Sequence, residues 1–445
     1  MQCAFVLLTA SALSAFCLVA DQPNQKSTPA DQPSADELVR RLSDRKFAVR
    51  DAAAKAIKAL GPAALPALRK AKDHADPEVR SLVSKWIPEF ETQALTGPRL
   101  ITLRLKQGPA RAALEAVAKQ AGYKITFQND AGASQSPDFN FANVPFWVAV
   151  DAICSQSGLV VTSSSDDEPA PSLVCQGGHY PYIFHHGAFR MIADQLDHSV
   201  QKHVSLNRLG GRPVPGPNVY ESFSVNFTIE AEPRLHIVDA SVEQVKEASD
   251  DQKHSIIAPA SGNFRVMAFP GRRRHMFGPG FRVNAMSSGI SLSVSLNTPS
   301  SGATTLQVLK GTVAVTIGKE HKSLLVSDKV LSAKGVKVRG QNTTLEITEV
   351  RKTPDGCEVV CAISGETGNM PDLQMTDAQG NRFEARTSSC STNGRKVEAR
   401  LHFGPPMMVM MGRGVAPGAP AKLTWNWWES VECHVPFEFR ELPLP

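Results

Sequence analysis

Residues 103 to 125 of this 445-residue chain recur at residues 139 to 161, an offset of 36. The positions that agree in type are Leu103 and Phe139, Leu105 and Phe141, Pro109 and Pro145, Leu114 and Val150, Val117 and Ile153, Gln120 and Gln156, Gly122 and Gly158, and Ile125 and Val161. Apolar alternation at the start of each copy is typical of a half-buried strand, and the proline lies where a helix tolerates a missing N–H. The glycine is placed to end that helix in a left-handed cap, after which a second strand follows. The repeat therefore predicts two strand, helix, strand units that pack as one α+β domain over residues 99–176.

This pattern resembles the short domain at the N-terminus of secretins and TonB-dependent receptors. The two copies read LRLKQGPARAALEAVAKQAGYKITF and FNFANVPFWVAVDAICSQSGLVVTS. Short domains of this type mediate contacts in their hosts, so the resemblance implies a domain that binds another protein. A small sheet with open edges also offers a place where a partner strand can add.

A helical block is predicted at residues 35–91, and it repeats with a period of 30. Val49 and Arg50 match Val79 and Arg80, and Gly61-Pro62 separates one helix from the next. The stretch LSDRKFAVRDAAAKAIKALGPAALPALRKAKDHADPEVRSLVSKW is similar to HEAT repeats. That similarity implies a recognition surface with Arg50 and Arg80 as candidate contact residues. A plain helical hairpin that supports the N-terminus is the other interpretation.

The first 20 residues are interpreted as a secretory signal peptide, followed by a polar linker at residues 21–34. An apolar run ends at Ala20 and the sequence then turns abruptly polar. An uncleaved anchor and a lipid anchor at Cys17 are the alternatives, although Phe16 occupies a place where a lipobox has a small residue. The prediction is a periplasmic or secreted protein with no membrane span in the mature chain. A net charge of +5, from 48 basic and 43 acidic residues, gives little reason to expect a nucleic-acid partner.

Six cysteines remain after the signal peptide, an even number that suits an oxidising compartment. Cys357 and Cys361 are too far apart along one strand to bridge each other. By elimination they are expected to pair with Cys390 and Cys433 in some order, which leaves Cys154 with Cys175. Buried free thiols are the alternative. No metal site or cofactor is predicted.

From about residue 180 the pattern becomes all-β. Strict alternation marks strands at residues 223–229, 313–317, 345–347 and 437–439, and turn sequences such as Thr353-Pro354-Asp355-Gly356 favour antiparallel hairpins. Two β-sandwiches are expected, one at residues 180–300 with a Gly- and Arg-rich loop and one at 301–445. The fold class is thus multidomain α+β with a β-rich tail. This whole architecture resembles secreted proteins of planctomycete-type bacteria, and no activity travels with that resemblance.

No enzyme motif was found, and the acidic pairs Asp166-Asp167 and Asp250-Asp251 are interpreted as solvated loops. Arg272, Arg273 and Arg274 are candidates for binding phosphate, anionic lipid or polysaccharide, or else form a solvated loop tip. Trp425 and Trp427 share one face of a strand, where they form either a sugar-stacking platform or part of the core. The chain is expected to be a non-catalytic envelope scaffold that binds a partner protein. The alternative function is carbohydrate or polyanion binding by the β-rich half.

Overall fold

Both sequence repeats appear as repeated backbone conformations in the computed structural model. It describes residues 33–131, 135–136, 138–164, 172–203, 218–258, 289–340, 343–365, 372–393, 396–410, 412 and 415–445. The predicted signal peptide at 1–20, most of the linker at 21–34, and Arg272, Arg273 and Arg274 lie outside these residues. The chain divides into two compact units between Gln93 and Ala94.

The first unit is helical. Its elements are α1 (Ala35–Arg41), α2 (Phe47–Leu60), a 3₁₀ turn (Gly61–Ala64), α3 (Leu65–Lys70) and α4 (Pro77–Thr96). The starts of α2 and α4 are 30 residues apart, which matches the period of the sequence. One apolar stripe from each helix forms the core, which includes Leu38, Ile57, Leu68, Val79, Val83, Trp86 and Phe90.

The duplicated domain opens the second unit. Its elements in chain order are β1 (Leu100–Leu105), β2 (Gly108–Pro109), α5 (Ala110–Ala121), β3 (Lys124–Phe127), β4 (Gln135–Ser136), β5 (Phe139–Pro145), α6 (Phe146–Ser157), β6 (Leu159–Ser164) and β7 (Ser172–Gly177). Pro109 and Pro145 immediately precede the two helices. Gly122 and Gly158 end them in the left-handed conformation, with φ of 82° and 64°. The strand, helix, strand order and both caps are as the repeat predicts.

The two copies are related by an approximate two-fold axis, as the pairing of β1 with β5 shows. Leu103 lies opposite Phe141 and Leu105 lies opposite Phe139. Since Phe139 and Phe141 are the equivalents of Leu103 and Leu105, each residue faces the equivalent of the other. A reciprocal register of this kind is the signature of a two-fold relation between antiparallel copies.

Hydrogen bonds repeat the same reciprocity. The Gln107 N–H donates to Asp138 Oδ1 over 2.9 Å, and the Asn143 N–H donates to Thr102 Oγ1 over 3.2 Å. Both donors have positive φ, at 40° and 55°. Donors and acceptors are each offset by 36 residues, so the duplication extends to the backbone turns before the two prolines. One strand lies outside this symmetry, because β7 is inserted between β3 and β6, parallel to the first and antiparallel to the second.

The first sandwich has a four-stranded sheet of order β12-β10-β9-β8. The strands that follow the duplicated domain are β8 (Ile183–His186), β9 (Phe189–His203), β10 (Asn218–Ala231), β11 (His236–Asp250), β12 (Ile290–Leu296) and β13 (Thr305–Ser327). The alternating apolar residues predicted for β10 all point into the core, namely Phe223, Val225, Phe227 and Ile229.

The second sandwich has a five-stranded sheet of order β14-β15-β16-β19-β18. The remaining elements are a 3₁₀ turn (Val330–Ser332), β14 (Lys337–Arg339), β15 (Thr343–Thr353), β16 (Gly356–Gly365), β17 (Asp372–Thr376), β18 (Glu384–Asn393), β19 (Lys396–Gly404), α7 (Met407–Met410) and β20 (Lys422–Pro443). Thr353 pairs with Gly356, so the predicted hairpin turn at Pro354-Asp355 is present.

A single sheet of order β11-β13-β20-β17 serves both sandwiches. β13 and β20 pair along their whole length, from Thr305 opposite Pro443 to Ser327 opposite Leu423. One end of this ladder packs in the first core and the other end packs in the second. The predicted boundary at residue 300 is therefore wrong, because residues 305–317 and 431–443 complete the first sandwich. Alternation alone does not reveal which core a strand faces.

The predicted α+β class with a β-rich, antiparallel tail is confirmed. Within the described ranges, no helix has both the length and the apolarity needed to span a lipid bilayer.

Candidate functional site

A row of polar side chains crosses the outer face of the first sandwich. His185 on β8 lies opposite Arg190 on β9, and Arg190 lies opposite Glu230 on β10. Their strand neighbours, such as Phe189 and Ile229, point the other way into the core. The duplicated domain covers this row and contributes Asp151 from α6 to it. We call these four residues the polar joint.

Arg190 is the centre of the polar joint and has no exposed surface. Its Nη1 lies 2.5 Å from Asp151 Oδ1, and its Nε and Nη2 lie 3.0 and 2.7 Å from Glu230 Oε2. Nη2 also donates to the Val161 carbonyl, and Cζ lies 3.8 Å from the centre of the Trp147 ring. Burial alone would lower the pKa of Arg190, but the two carboxylates more than compensate and raise it. The guanidinium is therefore a permanent cation between two anions.

A third buried carboxylate, Glu232, lies two residues beyond Glu230 along the same face and has no exposed surface. It accepts hydrogen bonds from the Arg99 N–H at 2.8 Å, the Tyr123 hydroxyl at 3.0 Å and Arg234 Nε at 3.0 Å. Arg234 also donates to the carbonyls of Leu95, at 2.7 Å, and Gly97. Burial and the Glu232 charge raise the pKa of Tyr123, which keeps its hydroxyl protonated as a donor.

The contacts of the polar joint link the duplicated domain to the first sandwich. His185 Nε2 lies 2.7 Å from Asp151 Oδ2, so both oxygens of that carboxylate are engaged, one by His185 and one by Arg190. The charged groups of the joint thus bind one another across the boundary between the duplicated domain and the first sandwich. Breaking such a contact would leave buried charges without partners, so the joint holds the two parts in one orientation.

A cleft of about 420 Å³ opens beside the polar joint. Residues 179–182 form one wall, residues 193–196 of β9 form the other, and Pro443 also lines the cleft. Tyr180 and Asp194 belong to these walls, and the charge of Glu230 reaches both of them. No local sequence pattern indicates this cleft, because its two walls are brought together only by the pairing of β8 with β9.

The predicted tryptophan pair lies in the core of the second sandwich. Trp425 is 4 % exposed, and the Trp427 ring lies 4.8 Å from it. A carbohydrate platform at these rings is therefore wrong, and the core interpretation is correct. Trp428 lies on the opposite face, where it stacks on His236 at 4.4 Å.

The repeated arginines of the helical unit have matching local roles. Arg50 Nη1 donates to the Asp44 carbonyl at 3.1 Å, and Arg80 Nη1 donates to the His74 carbonyl at 2.6 Å. Donors and acceptors are both offset by 30 residues. Each arginine thus stabilises the loop before its own helix, and Arg50 Nε also lies 3.7 Å from Glu78 Oε2 in the first turn of α4.

The six cysteines among the described residues are free thiols in the structure, so the predicted disulfides are absent. Cys361 and Cys390 both lie opposite Ala399, on either side of β19. Two strand spacings separate them by about 10 Å, beyond the reach of a disulfide of ~7 Å. Cys154 and Cys175 lie in one apolar core, where burial raises the pKa of both thiols, that of Cys175 to about 11.

The remaining two cysteines lie in different sheets. Cys357 Sγ contacts Met375 Sδ at 3.4 Å, whereas Cys433 lies opposite Val315 in the shared sheet. Among the described residues, no group of three or more His, Cys, Asp or Glu side chains is arranged to hold a metal ion.

Asp250 differs from its prediction as a solvated loop residue. It is fully buried, and it accepts hydrogen bonds from the N–H groups of Gln252, His254 and Ser300 and from the Ser300 hydroxyl at 2.5 Å. Asp250 therefore stabilises a turn. The other acidic pair, Asp166-Asp167, lies outside the described ranges.

One sequence signal could have indicated the polar joint. Charged residues alternate with buried apolar ones in FTIEAEPR, which places Glu230 and Glu232 on one face of a strand end. Charges at successive positions on one face usually indicate solvent, so a covering domain was not inferred. Comparison with known proteins gave no match to any family model, curated protein or solved structure.

Proposed function

We propose that this chain is an exported, non-catalytic scaffold of the cell envelope that holds a partner protein through its helical block and its duplicated domain. The observation that carries the proposal is the two-stranded sheet of β1 and β5. Each strand has one edge on which the described residues place no further strand. Unpaired strand edges are templates to which a strand of another protein can add.

The main chain at these edges is oriented outward. The Thr102 N–H donates to Gln120 Oε1 at 3.2 Å, so it points away from β5. The register of β1 with β5 shifts between Ile101 and Leu103 and is regular from Leu103 to Leu105. Because N–H directions alternate along a strand, we expect the N–H of Arg104 to point the same way as that of Thr102. Arg104 lies opposite Asn140, and opposite residues of an antiparallel pair exchange both hydrogen bonds or neither. The Asn140 N–H therefore faces the other edge, and each edge presents a donor.

The polar joint supports the same proposal, because it fixes the sheet relative to the first sandwich. A preorganised edge loses less conformational freedom on binding than one on a loosely tethered domain. The resemblance to the short domain of secretins and TonB-dependent receptors points in the same direction, since that domain mediates contacts in its hosts. The resemblance of residues 35–91 to HEAT repeats adds a second surface of the kind that binds proteins.

Proline substitutions at the two edges test strand addition. Arg104→Pro and Asn140→Pro each remove one outward N–H, and edge strands tolerate proline at such positions. The matched controls are Arg104→Ala and Asn140→Ala, which remove the side chain and keep the N–H. Proteins captured from native envelope extract by the full chain would be compared across all five forms.

We expect at least one proline variant to lose a specific partner that the wild-type chain and the alanine variant at the same position retain. Circular dichroism and thermal unfolding would confirm that the proline variants are folded. Equal capture by wild type and both folded proline variants would contradict strand addition. Retention of cell-wall polysaccharide without any protein would instead favour the alternative function in the β-rich half, for which the cleft at residues 179–182 is the supporting observation.

A further inference from the structure

We propose that the cleft between residues 179–182 and 193–196 binds an uncharged saccharide. Its volume of about 420 Å³ lies within the range of small-molecule sites, roughly 300 to 1,000 Å³. Both walls belong to the second unit, and one of them is the strand β9. The site lies on the first sandwich, so it is separate from the β1 and β5 edges proposed to bind a protein.

A β-bulge places the acidic group of the cleft. Asn226 lies opposite Gln195 and Phe227 lies opposite Ala193, so Asp194 is the extra residue in the ladder. Bulges turn a side chain out of the regular alternation and are frequent beside binding sites. The Thr228 hydroxyl donates to Asp194 Oδ2 at 2.6 Å, which fixes the carboxylate of this cleft-lining residue.

The opposite wall is aromatic. Tyr180 and Tyr182 are both partly buried, and Tyr182 packs against the core of the first sandwich. The Ala193 N–H donates to the Tyr182 carbonyl at 3.0 Å, which ties the two walls together. Burial and the Glu230 charge raise the pKa of Tyr180, so its hydroxyl remains a hydrogen-bond donor.

This combination of groups fits a sugar ring. The apolar C–H face of a pyranose packs on an aromatic ring, while carboxylate, amide and imidazole groups bond its hydroxyls. His179 and Gln195 supply the last two types in the same cleft. A ligand with an apolar face and several hydroxyls therefore satisfies both walls.

The charges around the cleft select against anions. Partial desolvation and the neighbouring Glu230 raise the pKa of Asp194, although the Thr228 hydrogen bond opposes them. Arg190, a cation whose charge influences Tyr180, is already engaged by Asp151 and Glu230. Asp194 is a carboxylate, and the described residues that line the cleft include no Lys or Arg, so a uronic acid or sulfated sugar would be repelled and an uncharged saccharide is the best match.

Titration calorimetry of the full chain tests the proposal with three uncharged probes: cellohexaose, mannohexaose and chitohexaose. Hexagalacturonate serves as the anionic probe. The variants are Tyr180→Ala and Asp194→Asn. Tyr220→Ala is the matched control, because Tyr220 is a tyrosine 60 % exposed on β10 and is not part of the cleft.

We expect at least one uncharged hexasaccharide to bind at millimolar concentration or below, with hexagalacturonate weaker. Tyr180→Ala should weaken binding by about fivefold to tenfold, the loss expected when one aromatic contact is removed, and Tyr220→Ala should leave it unchanged. Asp194→Asn, which keeps the shape of the side chain, should also weaken binding. The proposal is overturned if none of the three probes binds the folded wild type, if hexagalacturonate binds best, or if both folded cleft variants bind as tightly as wild type.

Discussion

The second unit contains two joints of opposite construction. The duplicated domain is fastened to the first sandwich by buried charges centred on Arg190, whereas the two sandwiches are fastened to each other by strands β13 and β20, which run through both. A buried charge is stabilised only while its partner is present, so one substitution can remove the whole interaction. A continuous strand ladder distributes its stabilisation over many backbone hydrogen bonds. The first joint should therefore fail on a single substitution, and the second should respond only to changes in packing.

The sharpest way to break this contrast is to remove the cation of the polar joint. Arg190→Met leaves Glu230 buried without a partner and Asp151 with His185 alone, and the free energy of unfolding should fall by about 3 to 5 kcal/mol. Urea denaturation of the full chain measures the loss. Arg351→Met is the control, since Arg351 forms an exposed pair with Glu349 and its loss should cost about 0 to 1 kcal/mol.

A rescue variant separates charge from packing at the same position. Adding Asp151→Asn and Glu230→Gln to Arg190→Met removes the unpaired charges while keeping the side-chain volumes. The triple variant should be more stable than Arg190→Met. If it is no more stable than Arg190→Met, unpaired charge does not account for the loss, and the joint is not held by charge.

A substitution at Gly311 on β13 tests the packing of the shared sheet. A Cβ added at Gly311 would lie 2.4 Å from the Gln244 carbonyl oxygen and 2.6 Å from the Phe437 ring. Gly311→Ala should therefore cost about 1 to 3 kcal/mol by overpacking, measured by thermal unfolding. Gly177→Ala is the matched control on a strand, because no atom lies within 4 Å of its added Cβ.

An exposed arginine sharpens the comparison with Arg190. Arg80→Gln in the helical unit removes hydrogen bonds of 2.6 and 2.9 Å to the carbonyls of His74 and Ala75, both of which water can replace. The expected loss is about 0.5 to 1.5 kcal/mol, seen as a lower midpoint of helix melting by circular dichroism. A loss as large as that of Arg190→Met would mean that burial is not what makes the joint fragile.

Asp250 is a buried carboxylate that is stabilised by hydrogen-bond donors instead of by a cation. Burial alone would raise its pKa, but hydrogen bonds from Ser300, His254 and Gln252 lower it from 3.8 to about 2. A lowered pKa in the folded state adds stability that is present above pH 3.8 and is lost as the pH falls towards 2. Unfolding free energies measured from pH 5 to 2 should fall less steeply in Asp250→Asn than in wild type. An identical slope would show that Asp250 does not contribute to acid sensitivity.

Local features of the fold were predictable from the sequence, and long-range ones were not. Pro109, Gly122 and their equivalents act on their own backbone, so the helices and caps of the duplicated domain follow from the repeat. The alternation in β10 and β13 also predicts which side of each strand is buried. Arg190 meets partners about 40 residues away on either side, at Asp151 and Glu230, and no local pattern records such a meeting.

Strand length explains the other failures. A strand of 22 residues such as β20 has the same alternation whether it serves one core or two, so the sequence did not indicate the shared sheet. Trp425 and Trp427 were correctly placed on one face, but the pattern could not say whether that face meets solvent or a second sheet. β7 was missed as the central strand of its sheet because it belongs to neither copy of the repeat.

The ladder of β13 and β20 also orders the assembly of the chain in time. Phe437 and Phe439 of β20 pack in the core of the first sandwich. In the sheet only β13 lies between β20 and β11, yet almost 200 residues of sequence separate these phenylalanines from the end of β11. During synthesis the first sandwich must wait, with its apolar face uncovered, until residues 431–443 have emerged. Closure over so long a loop is slow. Folding should therefore begin in the duplicated domain, and the first sandwich should be completed late, when the C-terminal strand pairs with β13.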